Sequence, residues 1–179
     1  MRVIAGKARR LNLKTIEGLE TRPTTDRVKE SVFNILIPYI PCESVLDLFS
    51  GSGGMGIEAL SRSCKSCVFV EKDKNALDII HKNLEKARFT QEAEVIAGDA
   101  FDYLKRCKTV FNLIFLDPPY NLGLLRPVFD SFYKHNLLAD DGVIVVETEA
   151  SGESVDDDRF TCIKQAKYGK TVISVYKRS

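Results

Sequence analysis

The spacing of apolar positions changes along this chain, and each spacing predicts an element. From Met1 to Lys14 apolar and basic residues alternate around Gly6, as Arg2-Val3-Ile4-Ala5 and then Arg9-Arg10-Leu11-Asn12-Leu13-Lys14. That pattern predicts a β-hairpin with Gly6-Lys7 near its turn. Val28, Val32, Ile35 and Leu36 then recur at helical spacing. They predict a helix to about Ile37, capped by Thr24 or Thr25 and stopped before Pro38. Beyond it, short apolar runs alternate with helical stretches. The strands expected are Val45–Phe49, Cys67–Val70 (ending on Glu71), Ala93–Ala97, Phe111–Leu116 and Val143–Glu147. The helices expected are Met55–Ser61, Asp73–Arg88, Phe101–Arg106 and Leu124–His135, with Ala76, Leu77, Ile80 and Leu84 facing inward on the second. Two closing strands, Phe160–Lys167 and Thr171–Tyr176, flank a hairpin turn at Tyr168-Gly169, an antiparallel end to a parallel sheet. The alternation predicts a doubly wound α/β domain in which the strands ending at Phe49 and Leu116 are central neighbours at a switch point.

Composition narrows the setting. A chain of 179 residues, 44% of them hydrophobic, suits a single core that folds unaided. Five scattered cysteines, an odd number without a signal peptide, point to a reducing cytosol. Cys64 and Cys67 form a Cys-x-x-Cys pair with no second pair or histidine pair at ligand spacing, so they read as structural and no metal is expected. Apolar runs are too short for a membrane span. The net charge of +1 hides an asymmetry: residues 1–40 hold eight Lys and Arg against four Asp and Glu, a local +4, whereas the other 139 hold eighteen against twenty-one, −3. The basic end suits a polyanion, with Arg2, Lys7, Arg9, Arg10, Lys14, Arg22 and Arg27 as phosphate contacts. The plainer reading is an edge hairpin kept soluble by its charges.

The candidate chemistry gathers at strand ends. Asp117-Pro118-Pro119-Tyr120 follows the strand Phe111–Leu116. An aspartate carboxylate and a proline carbonyl can accept the two N–H groups of an aromatic amine and turn its lone pair toward an electrophile, while a tyrosine ring stacks on the base. Gly51, Gly53 and Gly56 fit Gly-x-Gly-x-x-Gly between a strand and a helix, the setting in which a ligand approaches the backbone. Glu71, at the next strand's end, can accept both hydroxyls of a ribose. Asp47, inside an apolar strand, suits a cofactor bearing a sulfonium and an ammonium rather than a pyrophosphate. Asp99 either receives an adenine amino group or caps the following helix. His81 and His135 read as solvated. A nicotinamide dehydrogenase would share the glycine turn and Glu71 but has no use for Asp-Pro-Pro-Tyr. A binding module without catalysis would need no intact set of carboxylates.

Four motifs in order, Arg22-Pro23-Thr24-Thr25-Asp26-Arg27-Val28-Lys29-Glu30, Asp47-Leu48-Phe49-Ser50-Gly51-Ser52-Gly53, Gly56-Ile57-Glu58-Ala59-Leu60-Ser61-Arg62 and Leu116-Asp117-Pro118-Pro119-Tyr120, resemble the RsmD-type methyltransferases of bacterial 16S ribosomal RNA. The resemblance spans nearly the whole chain. It implies a Rossmann-like, seven-stranded class I S-adenosylmethionine-dependent methyltransferase fold over residues 41–179, with an N-terminal hairpin-and-helix extension over residues 1–40 that contacts RNA. It further implies methyl transfer to a guanine N2 amine, with ribosomal RNA or the small subunit as partner. Nothing in the sequence suggests an obligate dimer, so a cytoplasmic monomer is expected. Asp47, Phe49, Gly51, Gly53, Glu71, Lys72, Asp99 and Ala100 would hold the cofactor. Asp117, Pro118, Pro119 and Tyr120 would hold the target base, and Arg2, Lys7, Arg9, Arg10, Arg22, Thr24 and Arg27 the RNA. Ser50 and Gly54-Met55 depart from the more usual alanine and Ala-Leu pair. The competing enzyme reading is DNA amino-methylation at adenine N6 or cytosine N4, which uses the same amine bracket.

Overall fold

The computed structural model describes residues 1–16, 26–119, 123–150, 155 and 157–179. A seven-stranded sheet is built from β1 (Ser44–Leu48), β2 (Ser66–Glu71), β3 (Ala93–Ala97), β4 (Phe111–Leu116), β5 (Leu138–Glu149), β6 (Phe160–Tyr168) and β7 (Thr171–Arg178), in the spatial order β3-β2-β1-β4-β5-β7-β6. The first five strands run parallel, and β7 is antiparallel to both β5 and β6. The chain leaves β1 toward β2 and β3 on one side, then crosses to β4 and β5 on the other. The carboxyl ends of β1 and β4 therefore flank the reversal point, where open α/β sheets leave a crevice.

The central strands are largely apolar because both faces are covered. Leu46, Leu48, Val68, Val70, Ile114, Leu116, Ile144 and Val146 share a core with α4 (Ala100–Arg106) and α5 (Leu125–Lys134). Val45, Phe69, Leu113, Phe115, Val143 and Val145 face the opposite way, toward α1 (Asp26–Ile35), α2 (Gly54–Ser61) and α3 (Lys74–Ala87). Val3 and Leu13 of the N-terminal segment join this second core. At the antiparallel end, Phe129 meets Phe160 and Tyr176 edge-on at centroid distances of 5.0 and 5.1 Å. Such pairs add roughly 0.5–1.5 kcal/mol each beyond their burial.

Three expectations from the sequence need correction. The N-terminal hairpin is one bridge, Arg2 with Asn12, flanked by the bonds Val3 N–H to Leu11 O and Leu13 N–H to Met1 O, both 2.9 Å. Gly6 and Lys7 lie at the turn as expected, with Arg9 N–H donating to Gly6 O at 3.2 Å, and the loop rests on α2. Lys7 N–H donates to Ser61 O at 2.8 Å, and a Cβ on Gly6 would fall 1.8 Å from that same oxygen. Pro38 does not simply stop α1; it sits inside a 3-10 turn, Ile37–Tyr39, whose first positions need no N–H donor. β5 begins at Leu138, before the expected Val143: Leu138 already pairs with Phe111, and the register then shifts so that the next β4 pairing is Leu113 with Val143. The expected helix caps Thr24 and Thr25 lie outside the described residues.

Candidate active site

The turn after β1 is shaped by backbone that few side chains tolerate. Phe49, Gly51 and Gly53 have φ of 69°, 54° and 75°, and Gly53 is the residue from which α2 starts. A Cβ on Gly51 would meet nothing within 4 Å, so that glycine faces open space. Gly56 serves packing instead: a Cβ there would lie 2.4 Å from the Phe69 ring and 2.7 Å from the Cys67 sulfur. Its N–H, and the helix with it, is held by the Asp47 Oδ2 at 2.9 Å.

Asp47 is only 4% exposed. Burial pushes its carboxyl up to about 7, with the nearby Glu71 charge adding to the rise and the Gly56 N–H opposing it. A group whose folded pKa lies above its unfolded value of 3.8 favours the fold fully below that value and loses this contribution as pH rises toward 7. Asp47→Asn keeps an acceptor for Gly56 but carries no charge. Its stability should match the parent near pH 4 and exceed it by as much as ~3–4 kcal/mol above pH 7. Urea unfolding of both proteins from pH 4 to 8 checks this; parallel curves would remove Asp47 as the titrating group.

Glu71 ends β2 with both oxygens engaged. Its Oε2 accepts from Gly51 N–H at 2.8 Å, and its Oε1 from Lys72 N–H at 2.8 Å and Asp73 N–H at 2.9 Å. The carboxylate is thereby fixed beside the glycine turn, and Asp73 in turn caps α3 through Ala76 N–H at 2.9 Å. Asp99 caps α4 with a single oxygen, Oδ1, which accepts from Phe101 N–H at 2.8 Å and Asp102 N–H at 3.4 Å.

These elements surround one cavity of about 810 Å³. Phe49, Gly51, Val70 and Glu71 form one side, Gly98, Asp99, Ala100 and Phe101 another, and Asp117, Pro118, Pro119, Leu124 and Glu147 a third. Ile16, Lys72, Asp73, Asn75 and Ala76 complete it. The glycine turn and the Asp117-Pro118-Pro119 stretch thus open into the same space, as neighbouring strand tips require. Two expected cofactor residues are not on this lining. Asp47 lies beneath the turn, bonded to Gly56. Gly53 points its Cβ direction at Phe69 and Ile80, 3.3 and 3.5 Å away, so both shape the turn from behind. Tyr120 lies outside the described residues.

Of the expected RNA contacts, Lys7, Arg9, Arg10 and Arg27 are exposed. Arg2 is paired with Asp26 through Nε to Oδ2 at 2.7 Å. Arg22 and Thr24 lie outside the described residues. Cys42 Sγ lies 3.3 Å from Cys64 Sγ, and among the described residues no group of three or more His, Cys, Asp and Glu side chains is placed to hold a metal ion. Also among them, no helix is long and apolar enough to cross a membrane.

Sequence reasoning missed a buried ionic cluster. Lys29 Nζ and Glu58 Oε2 lie 3.3 Å apart, both side chains wholly buried. Glu58 also accepts from Ile4 N–H at 2.7 Å, Ala5 N–H at 3.0 Å and Arg62 Nε at 2.8 Å, while Lys29 donates to Arg2 O. Burial lowers the Lys29 pKa and the Glu58 charge opposes the fall. Asn83 completes the attachment, accepting from Lys14 N–H at 2.8 Å and donating to Lys14 O and Ser52 O. The strip of basic residues at the amino end is in this way bound to the helix that the glycine turn begins. The signal was a lysine on the apolar face of α1, one residue from Val28.

Comparison with known proteins agrees in extent with this architecture. Residues 1–177 match the family model described as conserved hypothetical protein 95. The chain is 41% identical to the "Putative rRNA methyltransferase YlbH" of Bacillus subtilis, with 99% of each chain covered. It is 38% identical to the "Ribosomal RNA small subunit methyltransferase D" of Haemophilus influenzae, covering 99% of this chain and 93% of that one. A solved structure, "Putative methyltransferase yhhF from Escherichia coli", superposes with a TM-score of 0.89 at 34% identity over 100% of this chain and 98% of the other. On both the family model and these full-length relatives, the chain belongs to the RsmD-type family.

Proposed function

We propose that this protein is an S-adenosylmethionine-dependent methyltransferase that modifies the exocyclic N2 amine of a guanine in small-subunit ribosomal RNA. The observation that carries the reading is the single cavity shared by Gly51 and Glu71 on one side and Asp117, Pro118 and Pro119 on the other. The names of the full-length relatives support the RNA substrate. The residues present fit the cofactor. Gly51 offers a cradle that a side chain would fill, Glu71 a fixed carboxylate for ribose hydroxyls, and Asp99, beside the apolar Ala100 and Phe101, an acceptor for an adenine amine. When bound, S-adenosylmethionine supplies a methyl carbon made electrophilic by its sulfonium.

The chain's own part is positioning. The Asp117 carboxylate and the Pro118 carbonyl accept the two amine hydrogens, which tilts the nitrogen lone pair out of the ring's conjugation. As nitrogen gains the methyl it must lose one proton, and Asp117 is the acceptor in place. Residues 1–40 form the RNA-contacting extension in this reading and residues 41–179 the catalytic domain. The exposed Lys7, Arg9, Arg10 and Arg27 give the extension its attraction for phosphate. The protein acts as a cytoplasmic monomer without a metal.

The test is nucleoside analysis. Purified protein is incubated with methyl-labelled cofactor and, separately, ribosomal RNA, small subunits and duplex DNA. Label in N2-methylguanosine from the ribosomal substrates is the expected result. Label in N6-methyladenine or N4-methylcytosine, or only in DNA, would overturn the proposal.

A further inference from the structure

We infer that Glu147 is the residue that selects guanine, by accepting a hydrogen bond from the ring N1–H beside the reacting amine; this rests on the methyltransferase reading above. Glu147 follows the apolar run Val143–Val146 of β5 and is 8% exposed. Its position relative to Asp117 follows from strand register. Phe115 pairs with Val145 and Leu116 with Val146, so Asp117, one residue past the end of β4, stands level with Glu147. Phe115 and Val145 belong to the same core face, and side chains two residues on point the same way. Both acids accordingly line the cavity from neighbouring strand tips, as its lining residues show.

The chemistry of the bases gives this pair a use. In guanine the atom next to the exocyclic amine is N1, which carries a hydrogen. In adenine the corresponding N1, and in cytosine the corresponding N3, carries a lone pair instead. The bracket of Asp117 and Pro118 engages only the amine, which all three bases have, and so cannot tell them apart. A second carboxylate one strand over meets the adjoining edge atom. It attracts an N–H and repels a lone pair, and a site built to bond one polar edge rejects the analogue that leaves it unpaired. The same feature that admits guanine therefore excludes the other two amines.

The experiment uses RNA in which the guanosine mapped as the methylation site is replaced by 2-aminopurine riboside. That base keeps the 2-amine but presents a lone pair at N1. Full-length wild type should favour guanosine over 2-aminopurine by about 100-fold in kcat/KM. Glu147→Gln can turn its amide N–H2 toward the lone pair. It should bring the ratio to within about tenfold of unity, with 2-aminopurine turnover rising in absolute terms. Equal use of the two bases by wild type, or an unchanged ratio in E147Q, overturns the assignment. Failure of wild type to form any N2-methylguanosine would instead sink the function proposed above, so the two failures are distinguishable.

Discussion

Asp117→Ala should lower kcat by about 10²- to 10⁴-fold while leaving cofactor affinity within a few-fold of the parent. The magnitude follows from the work asked of this carboxylate. An amine conjugated to a purine ring is a poor nucleophile, and the two acceptors that reorient it act in a partly enclosed cavity where electrostatic interactions are strong. Removing one leaves the amine planar and its outgoing proton without an acceptor. The cofactor contacts proposed for Gly51, Glu71 and Asp99 lie on other strand ends and are untouched. Glu71→Ala should behave in the opposite way, weakening cofactor binding by about tenfold or more through the loss of charge-assisted bonds to ribose hydroxyls. Single-turnover kinetics with calorimetric cofactor titration separate the two. Undiminished turnover in D117A, or a parallel collapse of cofactor binding, would contradict the division of labour.

Central strand positions were legible because those strands are covered on both faces and so write themselves as largely apolar runs; β4 was read to the residue as Phe111–Leu116. Strand order around β1 and β4 followed from right-handed crossovers, and with it the meeting of the glycine turn and Asp117. What the sequence concealed depended on packing across distance. Asp47 was read as facing a charged cofactor because a buried acid needs a partner; that partner is Gly56 N–H, nine residues along the chain. Glu147 read only as the last residue of a strand, since its importance lies in its register with Asp117, which no local pattern encodes. Ile16 on the cavity wall was hidden for the same reason. The hairpin was read from alternation, yet the close approach of Gly6 to α2 was not.

Glu58→Ala should destabilise the protein by about 3–5 kcal/mol, the range seen when one partner of a buried ion pair is removed. The mutation leaves the wholly buried Lys29 ammonium without the carboxylate it touches and strips acceptors from Ile4 and Ala5 N–H. Lys29 would be expected to shed its proton, since burial already depresses its pKa and Glu58 is the principal group opposing that fall. The doubly substituted Glu58→Gln/Lys29→Met protein distinguishes charge from packing. Glutamine retains an acceptor oxygen for the N-terminal backbone, and methionine fills the lysine's volume without a charge. Its stability should therefore recover most of what E58A loses, by thermal and urea unfolding. The consequence for function is specific to the arm. Residues 1–14 are fastened to α2 through Glu58, Ser61 and the Gly6 contact, and to the glycine turn through Asn83. In E58A the arm should become cleavable by trypsin near Lys7, Arg9 and Arg10, and binding to RNA should weaken and lose part of its salt dependence before cofactor affinity changes. An arm that remained protected at wild-type stability would mean that apolar contacts of Val3 and Leu13 with the core, rather than the ionic cluster, hold it in place.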